Sequence, residues 1–229
     1  MGEKTSGITP ALRFPEFRDA PPWQVKRLGE VASVFSGGTP SRARKDFYEG
    51  SIPFIGSGDI SASRVEQHIT EQALKQSSAK IVSQGDLLFA LYGATSGKVA
   101  ISRISGAINQ AVLCIRSDEN IHFLYFWLQY SKSYLISKFL QGGQGNLSGK
   151  IVKSLRIPLP SLPEQRQIAG CLSSLDDLIE AREGQVAALK LHKRGLMQRL
   201  FPAPGETTPA LRFPEFRDAP PWQVKRLGE

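Results

Sequence analysis

Residues 161–200 carry apolar side chains at alternating steps of three and four, a spacing that only a long α-helix turns into a single face. Ile168, Leu172, Leu175, Ile179, Val186, Leu189, Leu196 and Leu200 make this seam, with Arg182 and Lys193 as charged interruptions. Ser161-Leu162-Pro163-Glu164 at its start matches a capping box, in which serine accepts from the third helical N–H and glutamate reaches back to the cap. Pro163 removes an N–H that lacks a partner in the first turn anyway, and Pro202 and Pro204 mark the far end. At about 1.5 Å per residue such a helix extends about 60 Å. Left free, its seam would stay wet, so the fold must supply a partner helix. Asp176, Asp177, Glu180 and Glu183 precede Lys190, Lys193, Arg194 and Arg199, an order that suits the helix dipole. An antiparallel copy would set acid against base, whereas a parallel one would oppose like charges. Antiparallel self-pairing is therefore expected, with packing on the chain's own domain as the alternative.

A second constraint is an internal repeat. Residues 9–30, TPALRFPEFRDAPPWQVKRLGE, return letter for letter as residues 208–229. The identity includes Arg, Glu and Gln positions where packing tolerates many residues, so fold physics alone would not enforce it. The chain reads as a unit followed by a second that begins and is cut short, about one half of something two-fold. The second copy is expected to find no vacant equivalent site, and so to fray or to compete with the first.

Three parts follow: a globular domain over 1–160, the helix over 161–201, and a Pro-rich linker with the truncated repeat over 202–229. Within the first, apolar runs at 33–35, 52–55, 86–92, 99–101 and 111–115 read as short strands bounded by Gly and polar turns. Helices are expected at 70–75 and 121–140, with Phe123, Phe126, Trp127, Tyr130 and Tyr134 of the latter facing a core. The fold class is α+β: a globular domain of short strands and helices, then one long coiled-coil-forming helix.

Charge narrows the function. Lys and Arg number 29 against 21 Asp and Glu, a net charge of +8, which favours a polyanionic partner, nucleic acid first. No apolar stretch approaches the roughly 20 residues that cross a bilayer, and the N-terminus lacks signal-peptide character, so a cytoplasmic protein is expected. Cys114 and Cys171 have no CxxC neighbour and read as buried thiols of a reducing compartment. His68, His122 and His192 have no metal-ligand spacing, and no metal site is expected. The stretches 93–98 and 143–150 imitate phosphate loops, but the glycine spacing is wrong in both and Val99 and Ile151 stand where Ser or Thr should bind magnesium. With no nucleophile–base pairing and no Asn-Pro-Pro-Tyr or Asp-Pro-Pro-Tyr, catalysis and a cofactor of its own are not expected.

What remains is a set of loops mixing glycine with donors and bases. Glycine lets backbone approach a phosphate, Arg and Lys supply charge, and Asn, Gln and Arg can read base edges. The candidate DNA-binding residues are Thr39, Ser41, Arg42, Arg44 and Lys45; Tyr92, Thr95, Ser96 and Lys98; Asn109 and Gln110; and Gln144, Asn146 and Lys150.

GGTPSR, FYEGSIPFIGSGDI, QGDLLFALYGATSGKVAI, INQAVLCI and IPLPSLPEQRQIAGCLSSLDDLIEARE together resemble the specificity (S) subunit of type I restriction-modification systems. The likeness covers most of residues 23–200, and its most specific parts are the GGTPS turn and the Glu164-Gln165 helix start. It implies a non-catalytic scaffold with target recognition domains that each read half of a bipartite double-stranded DNA site. Each domain is followed by a long helix, the two helices pair antiparallel, and methyltransferase (M) subunits dock along them. S-adenosylmethionine belongs to M, and ATP and Mg to the restriction (R) subunits that join through M. This chain departs from the pattern in carrying one recognition domain and one helix. A homodimer through the seam would restore the two-fold and read a palindromic gapped site. The alternative is a truncated S that pairs with another S or sequesters M.

Overall fold

The computed structural model describes residues 7–140, 147–226 and 228. In chain order come β1 (Gln24–Arg27), α1 (Leu28–Val31), β2 (Ala32–Ser36), β3 (Ile52–Ile55), β4 (His68–Ile69), α2 (Glu71–Lys75), β5 (Lys80–Val82), β6 (Leu87–Ala90) and β7 (Val99–Ile101). Then follow β8 (Gly106–Ile108), β9 (Val112–Ser117), α3 (Ile121–Leu140), α4 (Gly149–Lys153), β10 (Arg156–Leu159) and α5 (Leu162–Leu200). By internal contacts the chain divides after Ser173 into two compact units.

The first unit is layered around one sheet, β2-β9-β6-β7, antiparallel throughout. Successive side chains of a strand point to opposite faces, and here both faces are covered. Leu87, Phe89, Leu113 and Ile115 pack with Leu124, Leu128 and Leu135 of α3, Val152 of α4 and Ile157 of β10. Their alternates Leu88, Ala90, Val112 and Cys114 pack with Ile55, Val82 and Ile108 of the second sheet, β4-β3-β8-β5. That two-sided burial is why β6 and β9 read as unbroken apolar runs. Each fully buried Leu, Ile or Phe contributes about 2 kcal/mol, so these two strands anchor the unit. The outer face of the second sheet is closed by Phe47, Phe54, Ile69, Ala73 and Ala107. Thr70 caps α2 by accepting from the Ala73 amide.

Several expectations change. On α3 the buried face is Phe123, Leu124, Leu128 and Leu135, while Tyr130 and Tyr134 are 88% and 60% exposed. Leu124, Leu128 and Leu135, four and seven residues apart, take the core face, which leaves the aromatic stripe only partly inside. Cys114 is buried, and burial beside Asp86 pushes its thiol up to about 12; Cys171 is exposed rather than buried.

The helix α5 begins in the first unit, where Glu164, Gln165 and Ala169 are buried. In the second unit Leu175, Ile179, Val186 and Leu189 of the seam are exposed, and Leu196 and Leu200 are half-buried. There the second repeat copy is tied at its start: the Leu211 amide donates to the Arg199 carbonyl, and a short 3-10 helix forms at Pro214–Phe216.

Candidate nucleic-acid interface

The sheet register gathers the candidate loops. Ser36 and Phe89 both stand opposite Leu113, Ala90 opposite Val112, and Val99 opposite Phe89. The end of β2, the start of β9 and the β6–β7 turn therefore share one edge of the sheet. From that edge spring the loops 37–45, 109–110 and 91–98. Backbone bonds tie the 91–98 turn to its neighbours: the Leu91 amide donates to Ala111 and the Leu147 amide to Leu91.

The first loop leaves β2 through Gly37 and Gly38, where any larger residue would collide. A Cβ on Gly37 would land on the Ile108 carbonyl, and one on Gly38 on the Ser78 hydroxyl. Past this constriction Thr39 donates to the Gln110 side chain at 2.5 Å, and Tyr48 donates to the Pro40 carbonyl at 2.7 Å. A cleft of about 400 Å³ results, lined by Thr39, Arg42, Lys45, Tyr48, Gln67 and Asn109. Arg42 and Lys45 are exposed at its rim, as is Ser41 beside it. Arg44 is held differently: its guanidinium grips Asp46 at 2.6 and 2.8 Å and lies 4.3 Å over the Phe47 ring. That bidentate pairing holds the Asp46 carboxyl below the usual range.

The 93–98 stretch is a hairpin turn between β6 and β7, with left-handed glycines at Gly93 (φ +85°) and Gly97 (φ +75°). A strand rather than a helix follows it, so it lacks the helix N-terminus that makes a phosphate loop. Ser96 spends its hydroxyl on the Leu91 carbonyl, Lys98 donates to Ser61 at 2.7 Å, and Thr95 is half-buried within the turn. Burial raises the Tyr92 phenol above its ordinary value. Asn109 accepts from the Ala111 amide through its side-chain oxygen. Lys150 is exposed on α4, which Ser148 caps, while Gln144 and Asn146 lie outside the described residues.

The structure thus brings Thr39, Arg42, Lys45 and Asn109 to one cleft, with Gln110 bonded to Thr39, and sets the 92–98 turn on the same sheet edge. Tyr48, which lines the cleft, lies in the FYEG stretch but showed no sign of this role, and Gln67 carries no motif; only the β3–β4 pairing, which ends beside it, could have pointed to Gln67. Among the described residues no group of three or more His, Cys, Asp or Glu could hold a metal, and no helix is long and apolar enough to cross a membrane.

A second constellation sits at the start of α5. Arg13 is bidentate to Glu164 at 2.8 and 2.7 Å, and the Trp23 indole donates to the same carboxylate at 3.0 Å. Both side chains of the Arg13–Glu164 pair are almost fully buried. The Glu164 carboxyl is accordingly held below its ordinary value, chiefly by Arg13, against the opposing effect of burial. Sequence reasoning assigned Glu164 to a capping box; its carboxylate is turned instead to Arg13 and Trp23. Next to it, Gln165 accepts from the Asn120 amide and donates to Glu119 and to the Pro160 carbonyl. The Glu-Gln pair therefore locks the helix start onto the domain.

Residues 21–191 match the Type I restriction modification DNA specificity domain. The chain is 32% identical to the Type I restriction enzyme MjaIX specificity subunit of Methanocaldococcus jannaschii, covering 90% of this chain and 51% of that one. It is 29% identical to the EcoR124I/EcoR124II specificity subunit of Escherichia coli, over 74% of this chain and 45% of that one. The HsdS subunit from Thermoanaerobacter tengcongensis superposes with a TM-score of 0.55 at 25% identity, covering 76% of this chain and 41% of that one. The chain spans about half the length of the curated relatives it matches.

Proposed function

The chain belongs to the type I restriction-modification DNA specificity family, and on that premise we propose that it is a DNA-recognition subunit acting as a homodimer. In this reading its single recognition domain reads one half-site through the loops around the Thr39–Gln110 cleft. Two copies of α5 then pair antiparallel to set the spacing and to scaffold methyltransferase subunits.

The observation that carries the proposal is the seam. Leu175, Ile179, Val186 and Leu189 are 51, 55, 48 and 67% exposed on a helix whose register suits a partner. Two identical domains related by a two-fold would read a palindromic gapped site.

Sequencing of methylated adenines in cells carrying this chain and its methyltransferase partner tests the reading. A gapped palindrome is expected. A non-palindromic motif would remove the homodimer, and methyltransferase binding without methylation would assign a sequestering role instead. Asp176→Lys with Asp177→Lys should dissociate the dimer in sedimentation, with partial rescue by Lys193→Glu and Arg194→Glu. Arg42→Ala with Lys45→Ala should weaken binding to all sequences alike and lower the salt-dependence slope by about 2, roughly one per phosphate contact.

A further inference from the structure

The second copy of the repeat keeps the arginine hook of the first. In the first copy Arg13 is oriented by its own segment, donating to the Ala20 carbonyl at 2.6 Å and to Pro21 at 3.2 Å. Its Nε and Nη2 are thereby aimed at Glu164, at 2.8 and 2.7 Å.

In the second copy Arg212 grips the equivalent carbonyls, Ala219 and, at 2.8 Å, Pro220, and adds the Phe216 carbonyl at 3.2 Å. The 3-10 turn recurs with the same entry geometry, Phe14 at φ −59°, ψ 145° and Phe213 at φ −61°, ψ 150°. The tryptophan again meets a phenylalanine edge-on, Trp23 with Phe123 at 6.4 Å and Trp222 with Phe201 at 6.0 Å. One group differs. Arg212 Nε is buried and has no hydrogen-bond partner among the described residues. It corresponds to one of the two atoms that Arg13 commits to Glu164, Nη2 being the other.

A guanidinium held on three carbonyls, with Nε left over beside an apolar groove, is built for a carboxylate carried on an apolar helical turn. The groove is about 450 Å³ and is lined by Leu200, Phe201, Leu211, Phe213 and Trp222. Its counterpart in the first copy, about 500 Å³, is where Leu12 and Phe14 meet Ile168, Cys171 and Leu172 beside Glu164.

We propose that the second copy docks onto the Glu164 helix start of a second copy of this chain. The inference rests on the homodimeric reading above and names what the repeat does within it. The first copy is the internal template: the same residues in the same conformation already bind that surface. Glu164 accepts from Arg13 through both oxygens and from Trp23 through one, so it serves a single guanidinium fork at a time. Docking in trans is thus an exchange, in which the second copy of one chain displaces the first copy of the other.

Phe14 and Cys171 line one groove, so exchange would bring position 213 of one chain next to Cys171 of the other. The test mixes a tagged donor, Phe213→Cys with Cys171→Ser, and an untagged acceptor that keeps Cys171. Under mild oxidation a mixed-mass disulfide dimer is expected. Arg13→Ala in the acceptor should raise its yield severalfold by vacating Glu164. Arg212→Ala in the donor should lower it at least tenfold, the loss of a two-bond charge-assisted fork. If circular dichroism shows that Arg13→Ala unfolds the acceptor, the Arg212→Ala comparison with an unmodified acceptor decides. Equal yields with and without Arg212 would overturn the clamp. Light scattering on the same samples separates the two proposals: a dimer lacking the mixed disulfide overturns the clamp alone, and a monomer overturns both.

Discussion

The two copies of the repeat are the same string of residues in two environments. Their local structure agrees: both form the 3-10 turn, and both hook an arginine on the carbonyls that follow it. Their tertiary structure does not. In the first copy Gln24–Arg27 become β1 because β10 is there to pair with them, Gln24 opposite Leu159 through Arg27 opposite Arg156. Leu28 then enters the core, fully buried. In the second copy residues 223–226 form no strand, and Val224, the counterpart of half-buried Val25, is 84% exposed. A turn and an arginine hook are written within a dozen residues. A strand is not, because half of its hydrogen bonds belong to another segment.

The contrast can be broken most severely at Glu164. Glu164→Ala leaves Arg13 buried without its counter-charge and should cost about 3 kcal/mol in urea unfolding. Arg212→Ala, which meets no carboxylate within its own chain, should stay within about 0.5 kcal/mol when both variants are compared in the dimer-breaking Asp176→Lys, Asp177→Lys background. Comparable losses from both would mean that the copies are energetically alike.

Matched indole substitutions sharpen the difference at smaller scale. Trp23→Phe removes a hydrogen bond to a charged carboxylate and should cost about 1.5 kcal/mol. Trp222→Phe keeps its edge-on packing with Phe201 and should cost less than about 0.5 kcal/mol.

The smallest effect is in pH. Glu164 titrates below its ordinary 4.5 in the folded protein. Its contribution is therefore complete above that value and is lost as pH falls through the lower folded one. The stability gap between the unaltered chain and Glu164→Gln should be constant near neutrality and close below about pH 4.5. A gap that stays open at acid pH would show that the Glu164 carboxylate is not paired as described.

Much of the fold was legible in the chain itself. The helix α5 follows from its 3-4 spacing and flanking prolines, and β6 and β9 from apolar runs with turn residues at their ends. Strands β1, β4, β5, β8 and β10 escaped, since none exceeds four residues and QVKR and RIPL show no clear alternation. The glycine-rich loops were recognisable one by one, but their convergence came from the antiparallel register around Leu113, and Gln67 had no signal of its own. Glu164 was misassigned for an instructive reason. Ser-x-x-Glu is a sound local motif, but Arg13 and Trp23, which recruit its carboxylate, lie 151 and 141 residues away.

By itself the sequence determined the long helix with its apolar seam, the two-sided strands, the basic character of the chain and the turn inside each repeat. All of these depend on neighbours within a few residues or on composition. Only the tertiary structure decided which copy of the repeat becomes a strand, which arginine obtains a carboxylate and which loops share a cleft. Those outcomes depend on partners far away in the chain, and identical residues cannot encode a difference that lies outside them.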